Sequence, residues 1–163
     1  MRKLIVSILL IQCSIGYAKG MNVDDFNRLH NICVSKNINT KFENAKYQIC
    51  ASELVNEADS KMEKSFKEMI NNSEEYSKLR NIRTKYPINT RDMINSFINS
   101  QILWQKFRDS ECQAYAKFYI GNDRRSVIQF GCRFVLAQQR MNQLNDRIIE
   151  LRKNFGYLKI LVQ

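Results

Sequence analysis

The sequence predicts an all-α protein, an antiparallel bundle of about four to five helices stapled by two disulfides. Three observations predict it. Only five glycines and one proline interrupt 163 residues, which leaves few turns and favours long helices. Apolar residues recur at helical spacing over long stretches, and no strand-like alternation persists. Four of the five cysteines fall into two pairs that straddle two breaks in that periodicity.

The chain opens Met1-Arg2-Lys3, runs through the apolar stretch Leu4–Ile11 and reaches Gly16-Tyr17-Ala18. A basic head, a short apolar run and small residues before a cut after Ala18 make residues 1–18 a secretory signal peptide. The run is too short to span a bilayer, which takes about 20 apolar residues. A lipid-anchored Cys13 is the rival reading. Against it, Gln12 is bulky and polar where a lipidation site wants a small residue. Cleavage leaves residues 19–163 as a single domain, periplasmic or secreted and long enough to bury a core. No later segment is apolar enough to be transmembrane. Loss of Arg2 and Lys3 lowers the formal net charge from +10 to about +8. Such a balance suits anionic glycans or head groups. Yet the basic residues are spread along the chain and form no run, which favours simple solvation of helix faces. No nucleic-acid partner is expected.

Helix one is predicted from Val23 to Ser35, with Asp24 and Asp25 in the first turn complementing the helix dipole and Phe26, Leu29 and Cys33 on one face. Asn37-Ile38-Asn39 breaks the pattern. Thr40 then caps helix two, with Glu43 three residues on as a capping box requires. Helix two runs from Lys41 to Asn71 with two apolar stripes. One holds Phe42, Ala45 and Ile49. The other holds Tyr47, Ala51, Leu54, Ala58, Met62, Phe66 and Met69. Ser73 caps a shorter segment, Glu74–Lys85, which Tyr86-Pro87 ends. Thr90 caps helix three, which continues to Tyr119, and Gly121-Asn122 is the clearest turn. Helix four covers Arg124–Asn154. Its positions 127, 134, 141 and 148 and its positions 130, 137, 144 and 151 are all apolar, four heptads of a bundle seam. The apolar tail, Gly156–Gln163, is left to dock on the bundle or to mark a contact.

Removal of Cys13 leaves Cys33, Cys50, Cys112 and Cys132, an even number that reads as two disulfides in an exported chain. In an antiparallel helix hairpin, residues equidistant from the turn face each other. Cys112 and Cys132 are equidistant from Asn122, and Cys33 and Cys50 flank the break at 37–40. Cys33–Cys50 and Cys112–Cys132 are therefore the predicted pairs.

Little catalytic chemistry is available. His30 is the single histidine, which excludes His-pair metal sites and makes most triads hard to build. It reads as a surface or boundary residue of helix one. Paired cysteines leave no thiolate or zinc cluster, and no glycine-rich phosphate loop is present. Carboxylates at spacing four, such as Glu53 and Glu57 or Asp59 and Glu63, are commonplace on helices. The chain reads as a non-enzyme without a cofactor or metal.

One stripe of helix three stands out: Ile94, Phe97, Gln101, Trp104, Arg108, Glu111, Tyr115 and Phe118. Both ends are apolar, so it should face a core, yet its middle carries an amide, a cation and an anion. Buried charge is costly unless paired. The structural reading is a buried polar cluster that fixes helix register, in which Arg108 pairs with an acid of helix two (Glu53, Asp59 or Glu63, with Asn56 nearby) or with Glu111. A ligand site is the rival reading.

The same residues carry a family resemblance. Gln101-x-x-Trp104-x-x-x-Arg108-Asp109-x-x-Cys112 resembles the signature of the LprI-like lysozyme inhibitor domain, a small secreted helical domain of bacterial envelope proteins. Cys33 and Cys50 stand where the family's first cysteines stand. Ala58-Asp59-x-x-Met62 resembles its Ala-Asp-x-x-Leu segment, and Cys132, Arg140 and Leu144 resemble its closing motif. The likeness covers Cys33 to Leu144. Met62-Glu63, Phe66, Gly121 and Ala137 depart from the usual pattern. The predicted buried polar cluster comprises Gln101, Trp104, Arg108, Asp109, Glu111, Asp59 and Arg140. The resemblance implies a protein that binds and blocks a lysozyme by occlusion, through acids on exposed faces of helix two or in the 72–90 connection. The alternative is an envelope or secreted adaptor that binds anionic cell-wall glycan or another protein through basic helix faces.

Overall fold

The computed structural model describes residues 23–36, 43–121 and 124–160. The signal peptide with Cys13, the Asn37–Thr40 break with its capping box, Asn122 and residues 161–163 lie outside the described residues. Among the described residues four helices make up the fold: α1 (Val23–Lys36), α2 (Glu43–Arg83), α3 (Thr90–Lys117) and α4 (Arg125–Ile160). Consecutive helices run antiparallel, which pairs Asp59 of α2 with Arg108 of α3, and Gln101 of α3 with Arg140 of α4. Helices α2 and α4 are consequently parallel, and they make the most extensive contact in the molecule.

That parallel seam explains which residues of α2 are buried. Ala51, Ala58 and Ser65 recur every seven residues, alternating with Val55, Met62 and Met69, and Ser73 and Ser77 complete the line. Small residues let two helices approach closely while the larger ones interdigitate as knobs into holes. On α4 the eight predicted seam positions are all buried or half-buried. One core cluster joins Phe26, Ala51, Val55, Ala58, Phe134 and Ala137. A second joins Met62, Met69, Leu144 and Ile148, with Trp104 packed against it. Leu144 is 1% exposed and sits at the centre of the second cluster. Leu144→Ala should therefore cost about 3 kcal/mol. Urea titration should show a lower midpoint at an unchanged slope.

Several boundaries differ from the sequence expectation. Helix α2 is continuous to Arg83, so the predicted interruption at Ser73 does not occur. Ser73 is buried, and its hydroxyl reaches Met69 Sδ at 3.5 Å. It serves the close α2–α4 contact and caps nothing. The connection shrinks to residues 84–89. Asn81 of α2 holds it by donating to the Ile88 carbonyl (2.8 Å) while accepting from the Ile88 amide (2.6 Å). Asn89, not Thr90, is the N-cap of α3, accepting from the Asp92 amide. Thr90 Oγ1 is engaged with Ser77 Oγ at 2.8 Å. Helix α4 continues past Asn154 into the apolar tail as far as Ile160.

His30 is buried, not superficial. Its Nε2 lies 2.8 Å from the Tyr47 carbonyl of α2, and its ring stacks on Phe26. A lone histidine here joins α1 to α2. Gly131 of α4 serves the same packing, because a Cβ there would lie 3.0 Å from the Phe26 ring.

Both predicted disulfides are present, Cys33–Cys50 between α1 and α2 and Cys112–Cys132 between α3 and α4. Among the described residues, no helix is long and apolar enough to cross a membrane.

Candidate functional site

Two features meet on α3. The first is a polar cluster beneath the α2–α3–α4 junction. Arg108 is 3% exposed. Its Nη1 donates to Asp59 Oδ1 of α2, and its Nε donates to Asp109 Oδ1 at 3.1 Å. Arg133 of α4 approaches the same two carboxylates, at 3.7 Å from Asp59 and 3.2 Å from Asp109. Two guanidiniums thus face two carboxylates, and the mutual pairing offsets their desolvation. Burial is uneven, however: the Asp59 side chain is 25% exposed and that of Asp109 54%. The pairs to Asp109 are consequently worth little, because water competes for them.

Arg140 is the fifth charge. Its Nε donates to Gln101 Oε1 at 3.0 Å, while Gln101 Nε2 points to Met62 Sδ at 3.6 Å. Burial, and then the neighbouring charge of Arg147, pull the Arg140 pKa below the usual arginine value. Trp104 lies between the cations, with Arg108 Cζ 5.3 Å and Arg140 Cζ 5.7 Å from its ring. The ring's negative face replaces part of the water both lose. The arrangement fixes register between three helices. Most of its polar groups are spent on one another, but Arg133 Nε is buried close to Asp109 without a hydrogen bond.

Of the predicted cluster, the structure brings together Gln101, Trp104, Arg108, Asp109, Asp59 and Arg140. Glu111 does not join it. It is exposed and faces a groove instead. The predicted stripe leaves the core at this point, since buried positions continue as Arg108, Cys112 and Ala116 while Tyr115 and Phe118 turn outward. A straight helix drifts relative to a seven-residue spacing, and the Cys112–Cys132 bond holds Cys112 on the α4 side. Arg133 is the member that sequence reasoning missed. It stands one residue past Cys132 and one heptad before Arg140, a spacing that puts both arginines on the same face of α4.

The second feature is the groove itself, a concavity of about 430 Å³ between α1, the C-terminal half of α3 and the N-terminal half of α4. Phe26, Tyr115, Ile128 and Leu136 form much of its wall, and Glu111 is the only acidic or basic residue among the described residues that line it. The Tyr115 and Tyr119 hydroxyls stand 3.4 Å apart. That hydrogen bond raises the pKa of Tyr119.

Among the described residues, Cys33, Cys50 and Glu53 bring metal-type donor atoms together, but the two sulfurs are joined as a disulfide. Three further acids of α2 are paired with bases: Glu57 with Lys61, Glu74 with Lys78, and Glu68 with Arg152.

No curated protein and no solved structure matches the chain. A family match does exist. It runs from residue 35 to residue 144, taking in the end of α1, all of α2 and α3, and α4 as far as Leu144. The matched span contains Cys50, Cys112 and Cys132 and the whole polar cluster. The family is described as Lysozyme inhibitor LprI, and its match covers well over half of the sequence. This chain belongs to the LprI lysozyme inhibitor family.

Proposed function

We propose that this protein is exported after removal of residues 1–18 and blocks a lysozyme by binding it, with no catalytic step. The observation that carries this reading is family membership across residues 35–144. Two disulfides support an oxidising, extracytoplasmic setting. The polar cluster supports the reading indirectly. A bundle held in one register by paired charges presents a rigid surface, and rigidity lowers the entropic cost of association. The basic balance of the chain favours the adaptor reading as the alternative, in which cationic helix faces bind an anionic cell-wall glycan.

Salt distinguishes the two. Many lysozymes are basic, so long-range repulsion opposes an encounter with a mature chain of formal charge about +8, and screening relieves it. Titration of the oxidised protein against lysozymes of several types and charges should show stoichiometric loss of lytic activity. Against a basic lysozyme, association should be at least as fast at 0.3 M salt as at 0.05 M. Glycan binding would weaken over the same range. Absence of inhibition across the panel, with the protein folded and both disulfides formed, overturns the lysozyme reading.

A further inference from the structure

We infer that the groove between α1, α3 and α4 is where the lysozyme docks, receiving an apolar side chain flanked by a lysine or arginine that pairs with Glu111. The inference rests on the lysozyme-binding reading above and names the surface that performs it.

Shape and chemistry both point there. At about 430 Å³ the groove falls within the range of concave binding sites, about 300–1,000 Å³. Its wall is made mostly of aromatic and branched aliphatic side chains. Water in such a place finds few partners, so an apolar group that displaces it gains affinity. Two large side chains of the groove lining are left in solvent by the fold, Val23 on α1 (60% exposed) and Tyr115 on α3 (47% exposed). Exposed aromatic residues beside a pocket are the usual anchors of a protein interface.

Charge selects the partner. A cationic chain repels a basic partner over most of its surface, and three acids of α2 that could relieve this, Glu57, Glu68 and Glu74, are bonded to neighbouring bases. Glu111 differs from these three as the one carboxylate among the described residues that line the apolar groove. A carboxylate at the edge of a groove that sheds water on binding complements a lysine or arginine far better than an exposed one does. The scaffold is also fixed. Glu111 lies between Arg108 of the polar cluster and Cys112 of the disulfide, and Cys132 itself lines the groove. Little ordering is then left to be done on association.

The test measures affinity of the oxidised protein for a basic lysozyme by calorimetry, with three variants at exposed positions. Glu111→Lys reverses the carboxylate. Asn27→Trp fills the groove from α1, where Asn27 lines it. Asp146→Lys makes the same charge change on α4, away from the groove. Glu111→Lys and Asn27→Trp should each weaken binding at least tenfold, and Asp146→Lys less than threefold, all three melting within a few degrees of the unaltered protein. Should Asn27→Trp melt early, Glu111→Lys against Asp146→Lys decides alone. Binding by both groove variants at unaltered strength overturns the inference and leaves the lysozyme reading standing. Equal weakening by Glu111→Lys and Asp146→Lys overturns it too, because general charge would then account for the effect. A dimer that either groove variant converts to monomer would show a second copy to be the occupant, with the same consequence. Failure of the unaltered protein to bind any lysozyme overturns both readings together.

Discussion

Replacing Arg108 with leucine should lower the melting temperature by about 10–15 °C, equivalent to about 3–5 kcal/mol in a chain of this length. The guanidinium is 3% exposed and holds Asp59 of α2 and Asp109 of its own helix. Its removal leaves the half-buried Asp59 with Arg133 alone, at 3.7 Å. It also takes one cation from the Trp104 ring. The loss should come chiefly from the Asp59 side, because Asp109 is more than half exposed and screened by water. Arg108→Leu combined with Asp59→Leu should consequently recover part of the stability lost by Arg108→Leu alone, since an apolar pair carries no stranded charge. A thermal melt followed by circular dichroism decides the matter. An unchanged transition in Arg108→Leu would mean that the cluster is not what holds α2, α3 and α4 in register.

Substitution of Cys112 and Cys132 together by alanine should cost about 3 kcal/mol, as expected for a cross-link closing a loop of roughly 20 residues. The effect should be large for a local reason as well. Helix α3 has much less contact with α2 than with α4, and this bond closes the α3–α4 hairpin near its turn. Loosening it lets Tyr115 and Phe118 move further from α4 and should distort the groove beside Glu111. Chemical denaturation of the double variant would show the lower midpoint. Mass mapping of a non-reducing digest of the unaltered protein should yield the 33–50 and 112–132 peptides. A Cys50–Cys112 peptide would contradict both the sequence symmetry and the fold.

Local rules made much of this legible in advance. Heptad spacing on α4 placed all eight seam residues correctly, since an apolar side chain at every a and d position has nowhere favourable to go but inward. Symmetry of the cysteines about two breaks specified both disulfides, because an antiparallel hairpin brings equidistant residues together. The pairing of Arg108 with a helix-two acid was anticipated for a related reason: a cation on a core stripe must meet an anion.

Other features were hidden from such rules. Ser65, Ser73 and Ser77 look like solvent or capping residues, and Ser73 suggested a helix start. They are buried because α2 and α4 run parallel in close contact, a relation between segments some 80 residues apart that no local pattern encodes. His30 and Arg133 were likewise drawn inward by partners on other helices.

The sequence by itself determined the helical class, the two cross-links, the α4 seam and the family signature around Trp104 and Arg108. Each follows from spacing within one helix or symmetry about one turn, where geometry is set by 3.6 residues per turn. Only the tertiary structure decided which side of α3 stays buried beyond Arg108. The stripe that should have carried Glu111, Tyr115 and Phe118 into the core instead delivers them to solvent and to the edge of a groove. Helix drift and the pull of a disulfide set that rotation, and both depend on where α4 lies.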